Sequence, residues 1–153
     1  MNPFDDVPPP IRAITARKLL DDLKPIESIV DGLPIPRGGV TSFTARTGAG
    51  KTTLATQLEI AFTRGLPFAG REVTRGSVLV LAGENPDDYA MHLAATLQDL
   101  GVSADDVTGE KGSLLIVPGV FDIGAQFDYL RRECSGAELV AVIVDTSAAF
   151  YVR

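Results

Sequence analysis

The stretch ARTGAGKT, at residues 45–52, lies between a predicted strand and a predicted helix. Gly48 and Gly50 allow the backbone to curl so that its N–H groups point inward, which is a geometry that suits a phosphate. The predicted helix adds the positive end of its dipole at the same place. The pattern predicts a P-loop, in which Lys51 reaches the β- and γ-phosphates of a nucleotide and the Thr52 hydroxyl binds Mg²⁺.

The residues expected to surround the phosphates belong to the loop and to the first turn of the helix. They are Arg46, Thr47, Gly48, Ala49, Gly50, Lys51, Thr52 and Thr53. The usual motif begins with glycine, whereas Ala45 stands at that position here. A tight strand-to-helix turn with no ligand is the competing interpretation. The flanking elements and the intact Gly-Lys-Thr core favour the phosphate site.

Apolar runs alternate with helical patterns along the rest of the chain. A strand is predicted before the loop, at residues 40–44, and continuous apolar runs predict three more strands. Those runs are residues 77–82, 113–117 and 139–144. Helices are predicted at residues 16–23, 52–64, 86–100 and 124–134. The alternation indicates an α/β fold with a mostly parallel sheet flanked by helices.

Two of these helices carry clear boundary signals. In the helix at residues 52–64, the apolar face is Leu54, Leu58, Ala61 and Phe62, and Gly65 ends it. The helix at residues 86–100 begins after Asn85, which is a good N-cap, and ends at Gly101. Its buried stripe is expected to be Ala90, Leu93, Ala94, Leu97 and Leu100.

Two acidic residues follow predicted strands, where α/β folds place their ligands. Asp145 closes the last apolar run, which is typical of the Walker B aspartate that holds Mg²⁺ beside a P-loop. Glu84 follows the strand at residues 77–82 and is a candidate to orient or deprotonate an attacking water. Each carboxylate has a structural alternative, as a strand-end cap for Asp145 and as a helix-dipole partner for Glu84.

Two further residues are expected to have no role in chemistry. His92 is the single histidine and has no Cys or acidic partners at metal-ligand spacing, so we expect a solvated side chain. Cys134 lies on the apolar stripe of its helix, which predicts a buried structural thiol.

Length and composition narrow the class of protein. With 153 residues, 45% of them hydrophobic, the chain can form one domain with a sizeable core. A net charge of −6 argues against a broad nucleic-acid-binding face within this stretch. One cysteine and no apolar run of membrane-spanning length predict a soluble cytoplasmic protein. Residues 1–10 are expected to be a flexible proline-rich arm, and residues 11–153 the folded part.

Three segments together resemble the RepA-like branch of the RecA-type ATPases, which is related to DnaB-type hexameric replicative helicases. They are PIPRGGVTSFTARTGAGKTTLATQLEIAF from residue 34, GLPFAGREVTRGSVLVLAGEN from residue 65 and AVIVDTSAAF from residue 141. The resemblance implies a RecA-like fold, ATP as the nucleotide and Mg²⁺ as the metal. It also implies Lys51 and Glu84 as catalytic residues, and Thr52 and Asp145 as metal ligands.

The resemblance further implies a role in DNA replication or recombination and a homo-oligomeric ring. The chain ends eight residues beyond Asp145. Related folds continue with a strand between the Walker A and Walker B strands, and later segments contact DNA. The sequence is therefore expected to be the N-terminal portion of a larger ATPase domain. A non-catalytic module that binds a nucleotide or a partner is the alternative function. A small-molecule kinase is disfavoured, because the pattern of an arginine-bearing lid is missing.

Overall fold

The computed structural model describes residues 12–83 and 85–145. The helices are α1 (Ala16–Asp21), α2 (Lys51–Arg64), α3 (Pro86–Leu100) and α4 (Ile123–Glu133). The strands are β1 (Ser77–Ala82), β2 (Thr108–Gly109), β3 (Gly112–Pro118) and β4 (Leu139–Asp145). A short 3-10 helix, Asp105–Val107, precedes β2. The proline-rich arm predicted at residues 1–10 lies outside the described residues.

The four strands form one sheet in the order β2-β3-β1-β4. β1 pairs in parallel with both β3 and β4, while the two-residue β2 pairs antiparallel with β3. The prediction of an α/β fold with a mostly parallel sheet is confirmed. Because β1, β3 and β4 run in one direction, their carboxyl ends share one edge of the sheet.

The central strand β1 is apolar throughout because all six of its residues are buried. Alternate side chains enter two cores on opposite faces of the sheet. Val78, Val80 and Ala82 pack in the larger core, together with Ile60 and Phe62 of α2. The smaller core, on the other face, contains Leu79 and Leu81 with Cys134 and partly buried residues of α4. The buried thiol predicted for Cys134 is thereby confirmed.

The boundaries of α2 and α3 follow their capping signals. Gly65 and Gly101 end the two helices with φ angles of 71° and 63°, a left-handed conformation that glycine adopts at little cost. At the start of α3, the side chain of Asn85 accepts hydrogen bonds from the backbone N–H groups of Asp87 and Asp88. These contacts fix where α3 leaves the carboxyl end of β1.

The strand predicted at residues 40–44 is wrong. This segment has no regular structure, and the side chain of Val40 is 97% exposed. β-branched and aromatic residues favour a strand only where a neighbouring strand can pair with their backbone. In the described part of the chain, β1 is the only strand that pairs with β4, and no strand lies against residues 40–44.

The predicted buried faces of α2 and α3 need partial correction. On α3, Leu93 and Leu97 are partly buried against the core as predicted. However, Ala90, Ala94 and Leu100 are exposed, and the fully buried residues are Tyr89 and Thr96. Hydrogen bonds between α3 and α2 turn this polar side of the helix inward. On α2, Leu58, Ala61 and Phe62 are buried as expected, but Leu54 is 41% exposed.

Helix α1 forms where predicted and is exposed along its length. Thr15 caps it through the backbone N–H of Lys18, and the helix ends at Asp21 rather than at residue 23. None of its residues is buried. Among the described residues, no helix is both long enough and apolar enough to cross a membrane.

Candidate nucleotide-binding site

The glycines of the loop supply the turn that the sequence predicted. Gly48 and Gly50 have φ angles of 77° and 83°, in the left-handed region that disfavours residues with a side chain. The N–H of Ala49 donates to the carbonyl of Arg46 at 3.2 Å, which closes the turn. Apart from the adjacent residues, no atom of the described chain lies within 4 Å of the position that a Cβ would take at Gly48 or Gly50. Backbone conformation, not crowding, therefore requires glycine at these two positions.

Lys51 folds back over this loop. Its ammonium group donates to the carbonyl oxygens of Ala45 and Arg46, at 3.1 and 3.2 Å. The side chain therefore bridges the two ends of the loop and places a positive charge at its mouth. Ala45, at the position where the usual motif has glycine, contributes its carbonyl to this arrangement.

Helix α2 begins directly at Lys51, and its amino end faces the loop. Gly50 occupies the N-cap position, and within the described residues no side chain caps the helix. The first turn also contains no acidic residue that would offset the helix dipole. Since unpaired N–H groups and the dipole both favour negative charge, this end of α2 suits a phosphate. Thr52 and Thr53 lie in this first turn.

An open cavity of about 620 Å³ lies beside the loop. Residues 42–45 and 49–51 line it, together with Thr53, Leu54 and Gln57 of α2. Ligand pockets for small molecules measure roughly 300–1,000 Å³. The space is therefore large enough for a nucleotide whose phosphates enter the loop.

A substitution at Gly50 tests this description of the loop. Gly50→Ala should lower the free energy of unfolding by about 1–2 kcal/mol, because alanine is strained at a φ angle of 83°. Gly50→Asn should lower it less, because asparagine tolerates the left-handed region better. Urea denaturation of the three proteins measures the difference. An alanine variant as stable as the wild type would contradict the loop geometry.

Of the two candidate acidic residues, the structure describes Asp145, which belongs to the carboxyl edge of the sheet. Asp145 is the last residue of β4 and pairs with Ala82 at the end of β1. Its backbone carbonyl accepts a hydrogen bond from the N–H of Gly83 at 2.9 Å. Glu84 lies outside the described residues, although its neighbours Gly83 and Asn85 are described. The structure thus holds Asp145 against Gly83 at the carboxyl end of β1.

A buried carboxylate that the sequence interpretation missed lies behind these residues. Glu59 of α2 is fully buried, and the hydroxyl of Tyr89 donates to its Oε2 at 2.7 Å. Its other carboxylate oxygen, Oε1, has no hydrogen-bond partner among the described residues. Burial raises the pKa of Glu59 from 4.5 to about 7, the Tyr89 hydrogen bond opposes this change, and the charge of Asp145 adds to it. The only signal in the sequence is a glutamate within the otherwise apolar run LEIAF.

His92 also lies closer to the loop than expected. Its side chain is exposed, as predicted, but Nδ1 is 3.4 Å from the Thr53 hydroxyl in the first turn of α2. Spacing along the chain could not have shown this contact, because it depends on how α3 packs against α2.

Comparison with known proteins identifies one family. The model of a family described as the AAA domain matches residues 7–152, which is nearly the whole chain. Neither the curated proteins nor the solved structures gave a match.

Proposed function

The chain belongs to the AAA domain family of P-loop ATPases, and on that premise we propose that it binds ATP and Mg²⁺ at residues 45–53. The observation that carries the proposal is the loop itself. Its two left-handed glycines lead into the 14-residue helix α2, whose amino end is capped by no described side chain. The Lys51 side chain folds back over the loop. The glycine turn, the dipole of α2 and the ammonium group of Lys51 all favour a polyphosphate at the amino end of α2.

Each residue has a distinct part in this proposal. Residues 46–53 surround the β- and γ-phosphates and offer them the backbone N–H groups that the turn itself does not use. Lys51 exchanges its carbonyl partners in the loop for phosphate oxygens, which are stronger acceptors because they are charged. The Thr52 hydroxyl and the Asp145 carboxylate are the proposed metal ligands.

The residues present fit Mg²⁺ in the way that nucleotide sites usually hold it. Mg²⁺ takes one or two protein carboxylate or hydroxyl ligands and completes its shell with phosphate oxygens and water. When bound it neutralises charge on the phosphates. The described residues contain no cluster of three or more His, Cys, Asp or Glu side chains that would hold a metal.

We assign hydrolysis in this proposal to Glu84 as the general base. Its support is its place one residue after Gly83, whose N–H is bonded to Asp145 at the carboxyl edge of the sheet. A carboxylate there can accept a proton from water attacking the γ-phosphate. Lys51 is the second proposed catalytic residue, because its charge stabilises the phosphoryl group as negative charge moves during transfer.

Recognition of the phosphates gives the direct test. Isothermal titration should show tight binding of MgATP, weaker binding of MgADP and much weaker binding of adenosine, because the loop contacts only phosphate. Adenosine bound as tightly as MgATP would contradict the proposal, since affinity would then come from the base and not from the loop.

The biological setting is the finer part of the proposal. We infer from the resemblance to RepA-like, RecA-type ATPases that this domain acts in DNA replication or recombination, in the manner of a helicase-type motor. The same resemblance supports a homo-oligomeric ring, DNA as a partner of that assembly, and a cytoplasmic location.

A further inference from the structure

A row of polar contacts joins α2 to α3 behind the loop. Three pairs of side chains form it, and we call them the α2–α3 seam: Thr53 with His92, Thr56 with Thr96, and Glu59 with Tyr89. On α2 the three members recur every third residue, so they share one face of the helix. The seam starts at the first turn of α2, where the proposed phosphate site lies, and extends inward.

The Glu59–Tyr89 pair is the contact of the seam that contains a carboxylate, and both of its side chains are buried. Glu59 is 0% and Tyr89 is 5% exposed, and the distance between the hydroxyl and carboxylate oxygens is 2.7 Å. A hydrogen bond at this depth holds both partners in one orientation. Asp145 is tied to the start of α3 through the backbone, because it pairs with Ala82 and its carbonyl accepts a hydrogen bond from Gly83 at the carboxyl end of β1.

This pair connects the separate parts of the proposed site. Glu59 belongs to the helix that begins at Lys51, so its position is rigidly related to the loop. Tyr89 lies in the first turn of α3, and its backbone N–H donates to the carbonyl of the cap residue Asn85 at 3.0 Å. The hydrogen bond therefore links the phosphate-binding helix to the start of α3, which directly follows the carboxyl end of β1.

We propose that Glu59 and Tyr89 are positioning residues of the nucleotide site, whose hydrogen bond sets Asp145 and the start of α3 relative to the loop. This inference rests on the proposed function. Neither side chain contacts the phosphates, because both are buried behind the loop. The pair instead affects the position of Asp145, the proposed metal ligand. It should therefore change how much Mg²⁺ adds to nucleotide affinity.

Removing the Tyr89 hydroxyl tests this role. Tyr89→Phe keeps the buried ring and deletes only the hydrogen bond to Glu59. ATP affinity is measured twice for each protein, once with Mg²⁺ and once with a chelator. We expect the Mg²⁺-dependent gain in affinity to fall about tenfold, which is the lower end of the effects seen when residues that orient a metal ligand are changed. The metal-free affinity should change by less than about twofold.

Two further variants separate positioning from stability. Thr96→Val removes the neighbouring hydroxyl contact of the seam with little change in volume, and it should leave the Mg²⁺-dependent gain unchanged. Glu59→Gln retains an acceptor for the Tyr89 hydroxyl and should also retain most of the gain. Glu59→Leu removes the acceptor and should behave like Tyr89→Phe. The variant that combines Glu59→Leu with Tyr89→Phe should lose no more of the Mg²⁺-dependent gain than either change alone.

The outcomes are distinct. A wild-type chain that does not bind MgATP would overturn the proposed function and this inference together. Wild-type binding with an unchanged Mg²⁺-dependent gain in Tyr89→Phe would overturn the inference alone. Equal losses with and without Mg²⁺, matched by Thr96→Val, would also overturn it, because the seam would then only stabilise the fold.

Discussion

Relative to the Glu59→Gln variant, the wild-type protein should lose about 3 kcal/mol of its free energy of unfolding as the pH rises from about 4 to about 8. The cause is burial, which raises the pKa of Glu59 from 4.5 in the ordinary state to about 7 in the fold. Between these values the folded protein holds a proton that the unfolded chain has released. Stability therefore falls with rising pH across that window and is constant above it.

The groups around Glu59 do not reverse the direction of its pKa shift, and therefore do not reverse the fall in stability with rising pH. The Tyr89 hydroxyl donates to the carboxylate and favours its charged form, whereas Asp145 disfavours it, and desolvation by burial exceeds both. Glutamine has no proton to release, so its variant should lack this pH dependence. Urea denaturation of both proteins at several pH values gives the difference directly.

An exposed carboxylate provides the matched control. Glu110 lies in the turn between β2 and β3 and is exposed, so Glu110→Gln should keep the wild-type pH dependence within about 0.5 kcal/mol. If the curves for wild type and Glu59→Gln remained parallel over this range, Glu59 would not be buried as described.

Local patterns in the sequence were sufficient for much of the fold. The uniformly apolar runs became β1, β3 and β4, and β1 at the centre of the sheet is buried along its whole length, as its lack of alternation indicates. Asn85 and Gly101 marked the ends of α3 because capping depends on neighbouring residues only. The same holds for the loop, whose glycines and lysine act within one short segment.

Features that depend on a distant partner were not predictable in this way. Residues 40–44 have strand composition, yet no strand pairs with them in the part of the chain that is described. The buried side of α3 was misjudged because Tyr89 and Thr96 are polar, and a periodicity of apolar residues assigns polar side chains to the surface. Only the packing of α3 on α2 shows that Glu59 and Thr56 satisfy them.

The largest functional effect is expected at Lys51. Its ammonium group is the one lysine charge seated at the mouth of the loop among the described residues, held there by the carbonyls of Ala45 and Arg46. Deleting a charged hydrogen-bond partner costs about 3 kcal/mol, which corresponds to about a hundredfold in affinity. Lys51→Ala should therefore bind MgATP about a hundredfold more weakly than the wild type.

A second lysine allows the change in net charge to be controlled. Lys111 is exposed in the turn that precedes β3, and Lys111→Ala removes the same charge at a distance from the loop. Its effect on nucleotide affinity should be less than about twofold, because exposed charges are screened over about one Debye length.

The most direct measurement is thus isothermal titration of MgATP into the wild type, Lys51→Ala and Lys111→Ala at the same ionic strength. The phosphate-binding loop at residues 45–52 predicts tight binding by the wild type and Lys111→Ala and about a hundredfold loss in Lys51→Ala. Equal affinity of Lys51→Ala and the wild type for MgATP would contradict it.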